Sequence, residues 1–222
     1  MRILTISAHP DDETLGCGGT LLKHQASGDS VYWLIVTQTY EPQWTKKEIN
    51  QKATEIDQVS KAYGMKQYFK LGFPTVKLDT VPYSDLIGSI RKIISEVKPN
   101  IIYLVHPNDV HTDHNVVFTA TMSVVKPFYM KKFGVKRILC FETLSSTETA
   151  PTHSHKVFTP NLYHDISPFI ERKIEIMGLF ESEAQDNPMP RGPSAIRALA
   201  RHRGATVGVE YAEAFELVRE LI

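Results

Sequence analysis

The feature that most constrains the fold is a regular alternation of short apolar runs with longer segments of helical periodicity. The apolar runs predict five strands, at Arg2–Ala8, Val31–Thr37, Tyr68–Leu71, Ile101–Val105 and Arg137–Phe141. Between them, apolar residues recur at every third or fourth position, which predicts helices over about Thr14–Ser27, Lys46–Tyr63, Tyr83–Val97 and up to Val125. This order favours an α/β fold, Rossmann-like and doubly wound, with a mostly parallel sheet.

The last third of the chain has a less regular pattern. It predicts a strand near Lys156–Thr159, a helix over Pro168–Glu181, and a helix over Ser194–Arg203 that ends at Gly204. The segment Asp186–Pro193 contains three prolines and a glycine, which is typical of an ordered loop. We expect an irregular C-terminal third attached to a regular sheet.

Composition excludes several classes of function. The 222 residues, which we expect to form one domain (1–222), include 25 basic and 25 acidic residues, without the positive patch that nucleic-acid binding requires. Two cysteines provide neither a disulfide framework nor a CxxC zinc motif. No apolar stretch approaches the roughly 20 residues of a transmembrane helix, and the N-terminal apolar run is too short for a signal peptide. We therefore expect a cytoplasmic protein that binds a small molecule. The sequence does not decide whether it forms a homo-oligomer.

Two polar clusters each follow a predicted strand directly. HPDDE (His9–Glu13) comes after the first strand, and a second cluster (His106–Asn115) comes after the fourth. Open α/β sheets bind ligands beyond the carboxyl ends of their strands, at the point where the strand order reverses. If the order is 3-2-1-4-5, strands one and four are neighbours at that reversal. Both clusters would then face one crevice.

The residue types in these clusters favour a zinc site. Zinc prefers imidazole and carboxylate ligands, and a catalytic site keeps a position open for water. His9 and Asp12 are three residues apart across a tight turn, and His111 and His114 have the same spacing. A His–carboxylate–His set is therefore available from His9, Asp12 and one histidine of the second cluster. Asp11 would project differently, where a carboxylate can accept a proton from activated water.

Each motif has a structural interpretation when it is taken alone. HPDD can form a turn that caps the following helix, and HxxH occurs by chance in a chain with nine histidines. Gly16, Gly18 and Gly19 do not match the dinucleotide pattern, so close packing of a helix on the sheet explains them better. For His106 we favour a place at the edge of the core. Five further histidines are expected to be structural or on the surface: His24, His153, His155, His164 and His202.

The two motifs together resemble a known family. AHPDDETLGCGG (Ala8–Gly19) followed by HTDHN (His111–Asn115) is similar to the PIG-L/LmbE family of zinc-dependent N-deacetylases. ETLSSTE (Glu142–Glu148) and GVEYAEAF (Gly208–Phe215) extend the resemblance over nearly the whole chain. It implies a Rossmann-like fold and hydrolysis of an N-acetyl group, usually from an N-acetylglucosamine-containing sugar or glycoconjugate, with release of acetate.

The resemblance also implies roles for individual residues. The family's metal ligands fall on three positions: His9, Asp12 and His114. Its general base falls on Asp11, and the histidine that stabilises the oxyanion in protonated form and protonates the leaving amine falls on His111. Asp113 is a further inference of ours, as a carboxylate that orients a neighbouring imidazole. Glu13 and Thr14 are expected to begin the following helix, near the positive end of its dipole.

Other activities and ligands stay open at this point. A metal-dependent amidase that cleaves a larger acyl group or a thiol conjugate would use the same centre. A catalytically silent metal-binding domain would not need Asp11 or His111. Iron or cobalt (Fe2+ or Co2+) could replace Zn2+ on the same ligands. Further residues are candidates for binding the substrate, although they are equally well explained as surface residues. They are Arg191, Arg197, Arg201, Arg203 and the loop Thr37–Trp44.

Overall fold

The computed structural model describes residues 1–151 and 157–222 as a seven-stranded sheet with helices packed against it. The strands are β1 (Arg2–Ser7), β2 (Ser30–Gln38), β3 (Gln67–Pro74), β4 (Ile101–Val105), β5 (Arg137–Phe141), β6 (Leu162–Asp165) and β7 (Ala212–Glu220). The helices are α1 (Asp12–Ala26), α2 (Lys46–Ala62), α3 (Tyr83–Val97), α4 (Thr112–Val124), α5 (Pro127–Phe133), α6 (Ile170–Met177) and α7 (Pro193–Val207). Among the described residues, no helix combines the length and the apolar character needed to cross a bilayer.

The sheet has the strand order β3-β2-β1-β4-β5-β7-β6. The first five strands in this order are parallel, and β7 runs antiparallel to both β5 and β6. The chain order reverses between β1 and β4, which is where the sequence placed the reversal. β1 and β4 are buried almost throughout, because helices cover both faces of a parallel sheet. The predicted Rossmann-like, mostly parallel α/β fold is confirmed.

The prediction of a strand near Lys156–Thr159 is wrong for the residues that can be compared. Val157–Thr159 have no strand structure, while Lys156, like His153 and His155, lies outside the described residues. The strand of this region is β6, and β7 was not predicted at all. Both are short or half-exposed antiparallel strands, whose patterns differ from the apolar runs of the parallel strands.

Helix boundaries in the last third also differ from the prediction. The helix predicted over Pro168–Glu181 is the shorter α6, preceded by a 3-10 turn. Helix α7 continues past Gly204 and ends at Gly208, which has a φ of 77°. A Cβ on Gly204 would lie 2.7 Å from the carbonyl oxygen of Val209, so this glycine permits a close backbone approach within the helix. Helix α5 was not predicted.

Glycines in α1 pack this helix closely against its neighbours. A Cβ on Gly16 would lie 2.0 Å from the Phe141 ring, and one on Gly19 would lie 2.8 Å from Ile166. Such distances are too short for any side chain, so only glycine allows the observed contact. The packing interpretation of these glycines is confirmed.

A buried ion pair from the last third supports α1 where this helix is interrupted. Cys17 has non-helical dihedral angles, φ −138° and ψ 18°. The Glu213 carboxylate accepts hydrogen bonds from the backbone N–H groups of Gly19 and Thr20, at 2.8 and 2.7 Å. Lys173 Nζ donates to the Glu213 carboxylate at 2.7 Å and to the Leu15 carbonyl at 2.8 Å. Backbone groups at the interruption are therefore satisfied although they are buried.

His164 is half-buried in β6 and contacts α1. Its Nδ1 is 3.2 Å from the hydroxyl of Thr20. Burial, together with His24 and Lys23 nearby, lowers the pKa of His164 to about 4. The unfolded chain therefore binds a proton at this residue between about pH 6.5 and 4, whereas the folded chain does not.

We expect the free energy of unfolding of His164→Asn to fall less steeply than that of the native protein as the pH becomes mildly acidic. An asparagine can keep the hydrogen bond to Thr20 but does not titrate. In the native protein, proton binding to His164 in the unfolded chain should lower the free energy of unfolding by up to about 3 kcal/mol as the pH drops from 6.5 to 4. Urea unfolding between pH 4.5 and 7.5 measures the slope, with the exposed His202→Asn as the matched control. Equal slopes for native protein and His164→Asn would contradict this explanation.

Candidate active site

The segments that follow β1 and β4 line one end of a cavity of about 210 Å³. The loop after β1 carries the first motif, and the loop after β4 carries the second. Five of the predicted site residues line this cavity: His9, Asp11, Asp12, His111 and His114. Residues that are about 100 positions apart in the sequence therefore form one site, as parallel pairing of β1 with β4 requires.

The potential metal-donor atoms of three side chains lie close together. His114 Nε2 lies 3.4 Å from His9 Nδ1 and 3.2 Å from Asp12 Oδ1. His9 Nδ1 lies 3.8 Å from Asp12 Oδ2. Two imidazoles and one carboxylate are the donor types that zinc uses in catalytic sites, so these side chains fit a bound divalent ion.

His111 provides a second possible set of donors. Nitrogen atoms of His9, His111 and His114 lie within 4.8 Å of one another. The rings of His111 and His114 are stacked, with centroids 5.1 Å apart. Distance alone therefore allows either Asp12 or His111 as the third ligand.

A carboxylate lies behind the His9 imidazole. His9 Nε2 is 3.0 Å from Asp113 Oδ2, which leaves His9 Nδ1 to face the cavity. Asp113 is buried and also accepts hydrogen bonds from the backbone N–H groups of Val76 and Leu78. The position of Asp113 agrees with the expected contact to a neighbouring imidazole, and its effect on metal binding stays a prediction.

Asp109 has the corresponding position behind His114 and was not singled out from the sequence. Its Oδ2 is 2.8 Å from His114 Nδ1 and accepts a hydrogen bond from the Thr147 hydroxyl at 3.0 Å. Its Oδ1 accepts a hydrogen bond from the His111 backbone N–H at 2.9 Å. An acid in the same loop, five residues before a candidate ligand, was the available signal.

The carboxylates around His114 stabilise a positive charge on its ring. Burial alone would lower the pKa of His114, but Asp12 and Asp109 outweigh burial and raise it to about 10. Burial would raise the pKa of Asp12, yet His114 and His9 hold it well below its ordinary value. A proton balances these charges in the absence of a metal, and a divalent cation would balance them in its place.

Asp11 lies beside the potential metal donors in a strained backbone conformation. Its φ of 130° is rare for a residue with a side chain, and such strain is concentrated at functional sites. Burial, Asp12 and Glu183 raise the pKa of Asp11 well above its ordinary value, whereas Arg191 opposes this rise. Arg191 Nη1 lies 3.3 Å from Asp11 Oδ2.

Glu13 fixes the turn that contains Asp11. It lies in the first turn of α1, as predicted, but its carboxylate points into the protein and is fully buried. It accepts hydrogen bonds from the Asp11 N–H at 3.3 Å, the Ser7 hydroxyl at 3.1 Å and the Thr14 hydroxyl at 2.7 Å. Burial raises the pKa of Glu13 to about 7 despite these bonds.

His111 is presented to the cavity as a neutral hydrogen-bond donor. It is the N-cap of α4, and its Nδ1 accepts a hydrogen bond from the Asp113 N–H at 3.3 Å. Its proton therefore resides on Nε2. Burial, His9 and His114 lower the pKa of His111 to about 4. The sequence had suggested a protonated ring, whereas the structure favours the neutral form before reaction.

Some of the residues that were candidates for binding the substrate line the cavity, and others do not. Arg191 lines it, as do Thr37, Thr39 and Trp44 from the loop after β2. Arg197 and Arg203 instead pair with glutamates outside the cavity. His106 is buried and lies 3.2 Å from Glu216, which agrees with a place at the edge of the core.

Comparison with known proteins identifies the family. Residues 4–125 match the PIG-L family, which is described as GlcNAc-PI de-N-acetylase. The chain belongs to this family. It is 25% identical to the diacetylchitobiose deacetylase of Thermococcus kodakarensis, over 98% of this chain and 83% of that protein. It is 30% identical to the uncharacterized deacetylase YaiS of Escherichia coli, over 65% of this chain and 75% of that protein.

A solved structure has a similar fold. The conserved protein TT1542 of Thermus thermophilus has a TM-score of 0.78 and 25% identity to this PIG-L chain, with 99% of this chain and 96% of that one covered. The named relatives are deacetylases, which are amide hydrolases. The prediction of an amide hydrolase of the deacetylase class is confirmed.

We expect Asp109→Asn to weaken zinc binding by roughly 10-fold, because removing the partner of a ligating imidazole typically lowers metal affinity 10- to 100-fold. Asparagine keeps the size of the side chain but removes the charge next to His114. Competition with a chromophoric chelator measures the affinity, and exposed Asp79→Asn serves as the control. Unchanged affinity in Asp109→Asn would show that this carboxylate does not support the metal.

Proposed function

We propose that this PIG-L chain removes the N-acetyl group from an N-acetylglucosamine-type sugar or glycoconjugate in a metal-dependent reaction that releases acetate. The observation that carries the proposal is the meeting of His9, Asp12 and His114 in one cavity with Asp11 beside them. The similarity to a diacetylchitobiose deacetylase supports the choice of substrate.

In this proposal three residues hold a single divalent ion, zinc in the first instance: His9, Asp12 and His114. Asp12 is preferred to His111 because it adds a negative charge beside the two imidazoles, and because His111 Nδ1 already accepts a hydrogen bond from Asp113. Fe2+ or Co2+ would suit the same donors. When bound, the ion lowers the pKa of water and polarises the amide carbonyl.

Asp11 acts as the general base. It takes a proton from the attacking water as the new C–O bond forms, and its buried carboxylate has a raised proton affinity suited to holding that proton. His111 donates a hydrogen bond from Nε2 to the carbonyl oxygen as negative charge develops there. The proton held by Asp11 then passes to the leaving nitrogen as the C–N bond breaks, and the amine departs. Acetate and the free amino sugar are the products.

Two alternatives predict different results. An amidase for a larger acyl group or a thiol conjugate would release a longer acid, so product analysis across acyl chain lengths separates it from an acetyl-specific enzyme. A silent metal-binding domain would release no acid. The presence of both Asp11 and His111 in the cavity argues against the silent domain, because neither is needed to bind the metal.

We expect Asp11→Asn to keep about one zinc per chain while deacetylation slows by about 10²- to 10⁴-fold, the usual contribution of general base catalysis. Acetate release from N-acetylglucosamine conjugates measures activity, and elemental analysis measures the metal.

The exposed Asp79→Asn is the matched control and should retain both metal and activity. Full activity in Asp11→Asn would refute the role of this base. Loss of the metal in the same variant would show that Asp11 is a ligand rather than a base.

A further inference from the structure

Two cationic side chains line one wall of the cavity, and both are bound by the same glutamate. Lys52 Nζ lies 2.5 Å from Glu183 Oε1, and Arg191 Nη1 lies 2.6 Å from Glu183 Oε2. Lys52 comes from α2, whereas Glu183 and Arg191 come from the segment between α6 and α7. Glu183 therefore joins two separate elements at the edge of the site.

The carboxylates paired with Lys52 and Arg191 offset most of the positive charge that could attract an anion. Lys52 also donates a hydrogen bond to the Ser182 hydroxyl and forms an ion pair with Glu55, whose Oε2 lies 3.4 Å from Nζ. Arg191 Nη1 is shared between Glu183 and Asp11. Within the described residues, this group has two cations and three carboxylates. The carboxylates of Glu55 and Glu183 alone already balance the charges of Lys52 and Arg191.

The rest of this side of the cavity is aromatic and hydroxylated. Trp44 is half-buried and lines the cavity with Thr37 and Thr39. The Trp44 ring packs edge-on against Tyr40, with centroids 5.5 Å apart. Aromatic faces with a few hydroxyl groups suit the apolar faces and hydroxyls of an uncharged sugar.

We propose that this wall selects substrates whose group beyond the N-acetylated sugar is neutral and hydroxylated, such as a second sugar, over substrates that carry a phosphate or carboxylate there. Glu183 determines this specificity, because it pairs with both cations and offsets positive charge that would otherwise attract an anionic group. This inference rests on the proposed deacetylase function. It concerns the group attached to the sugar rather than the acetyl group on which Asp11 acts.

A matched pair of substrates tests the selection in the native enzyme. Methyl N-acetylglucosaminide and N-acetylglucosamine 1-phosphate share the N-acetylated sugar and differ in the group on the anomeric oxygen, a neutral methyl in one and an ionised phosphate in the other. With zinc-loaded protein, we expect kcat/KM for acetate release to favour the neutral substrate by about 10-fold or more, because an unmatched charge in a binding site costs affinity. A preference for the phosphate would overturn the inference.

Glu183→Gln tests the residue that carries the selection. Glutamine keeps the size of the side chain and one of its two acceptor oxygens, but removes the negative charge shared by Lys52 and Arg191. Because Arg191 also contacts Asp11, absolute rates can change, so the measurement is the ratio of kcat/KM for the phosphate to that for the neutral substrate. We expect this ratio to rise by about 10-fold. An unchanged ratio would overturn the role of Glu183.

Glu171→Gln is the control, because Glu171 is exposed and pairs with Arg197 outside the cavity. Its ratio should equal that of the native enzyme. Release of acetate from neither substrate, nor from larger N-acetylglucosamine conjugates, would overturn the proposed function and this inference together. Release from both with the opposite preference would overturn only the inference. The comparison in native protein stands even if Glu183→Gln does not fold.

Discussion

Parallel hydrogen bonding between β1 and β4 brings the loops after these two strands to the same edge of the sheet. The chain order reverses here, so α1 and α4 lead away from the sheet and leave a crevice between the two loops. His9, Asp11 and Asp12 come from one loop and the first turn of α1, whereas His111 and His114 come from the other loop and α4. Without this pairing the two motifs would be separate polar turns.

Charge balance is the second constraint on the site. The imidazoles of His9 and His114 each have a carboxylate behind them, Asp113 and Asp109, and Asp12 lies between them on the side of the cavity. Such an accumulation of carboxylates is stable only with positive charge at its centre. The same principle applies at the wall of the cavity, where Glu183 lies between two cations. The inner part of the site thus favours a cation, and the outer wall leaves no surplus positive charge.

The sequence predicted the parts of the molecule that depend on local pattern. Ile101–Val105 is an uninterrupted apolar run, so its strand was predicted with the correct bounds. Strand β7 was not predicted, because antiparallel pairing with β5 and β6 leaves it half exposed and without such a run. The residues of HPDDE and HTDHN could be found because both motifs are contiguous. The position of Glu183 could not, because its contact with Lys52 depends on how distant segments meet in the fold. Asp109 contacts His114, five residues away, and was missed although that spacing was visible.

The most direct measurement of the central claim is an anomalous-scattering map, recorded at the zinc absorption edge, from crystals of the zinc-loaded protein. The account predicts one strong peak in the cavity, at about 2.0–2.2 Å from His9 Nδ1, His114 Nε2 and a carboxylate oxygen of Asp12. Asp11 and His111 should lie close to the peak without coordinating it. A peak bound by His111 in place of Asp12, or no peak in this cavity, would contradict the account.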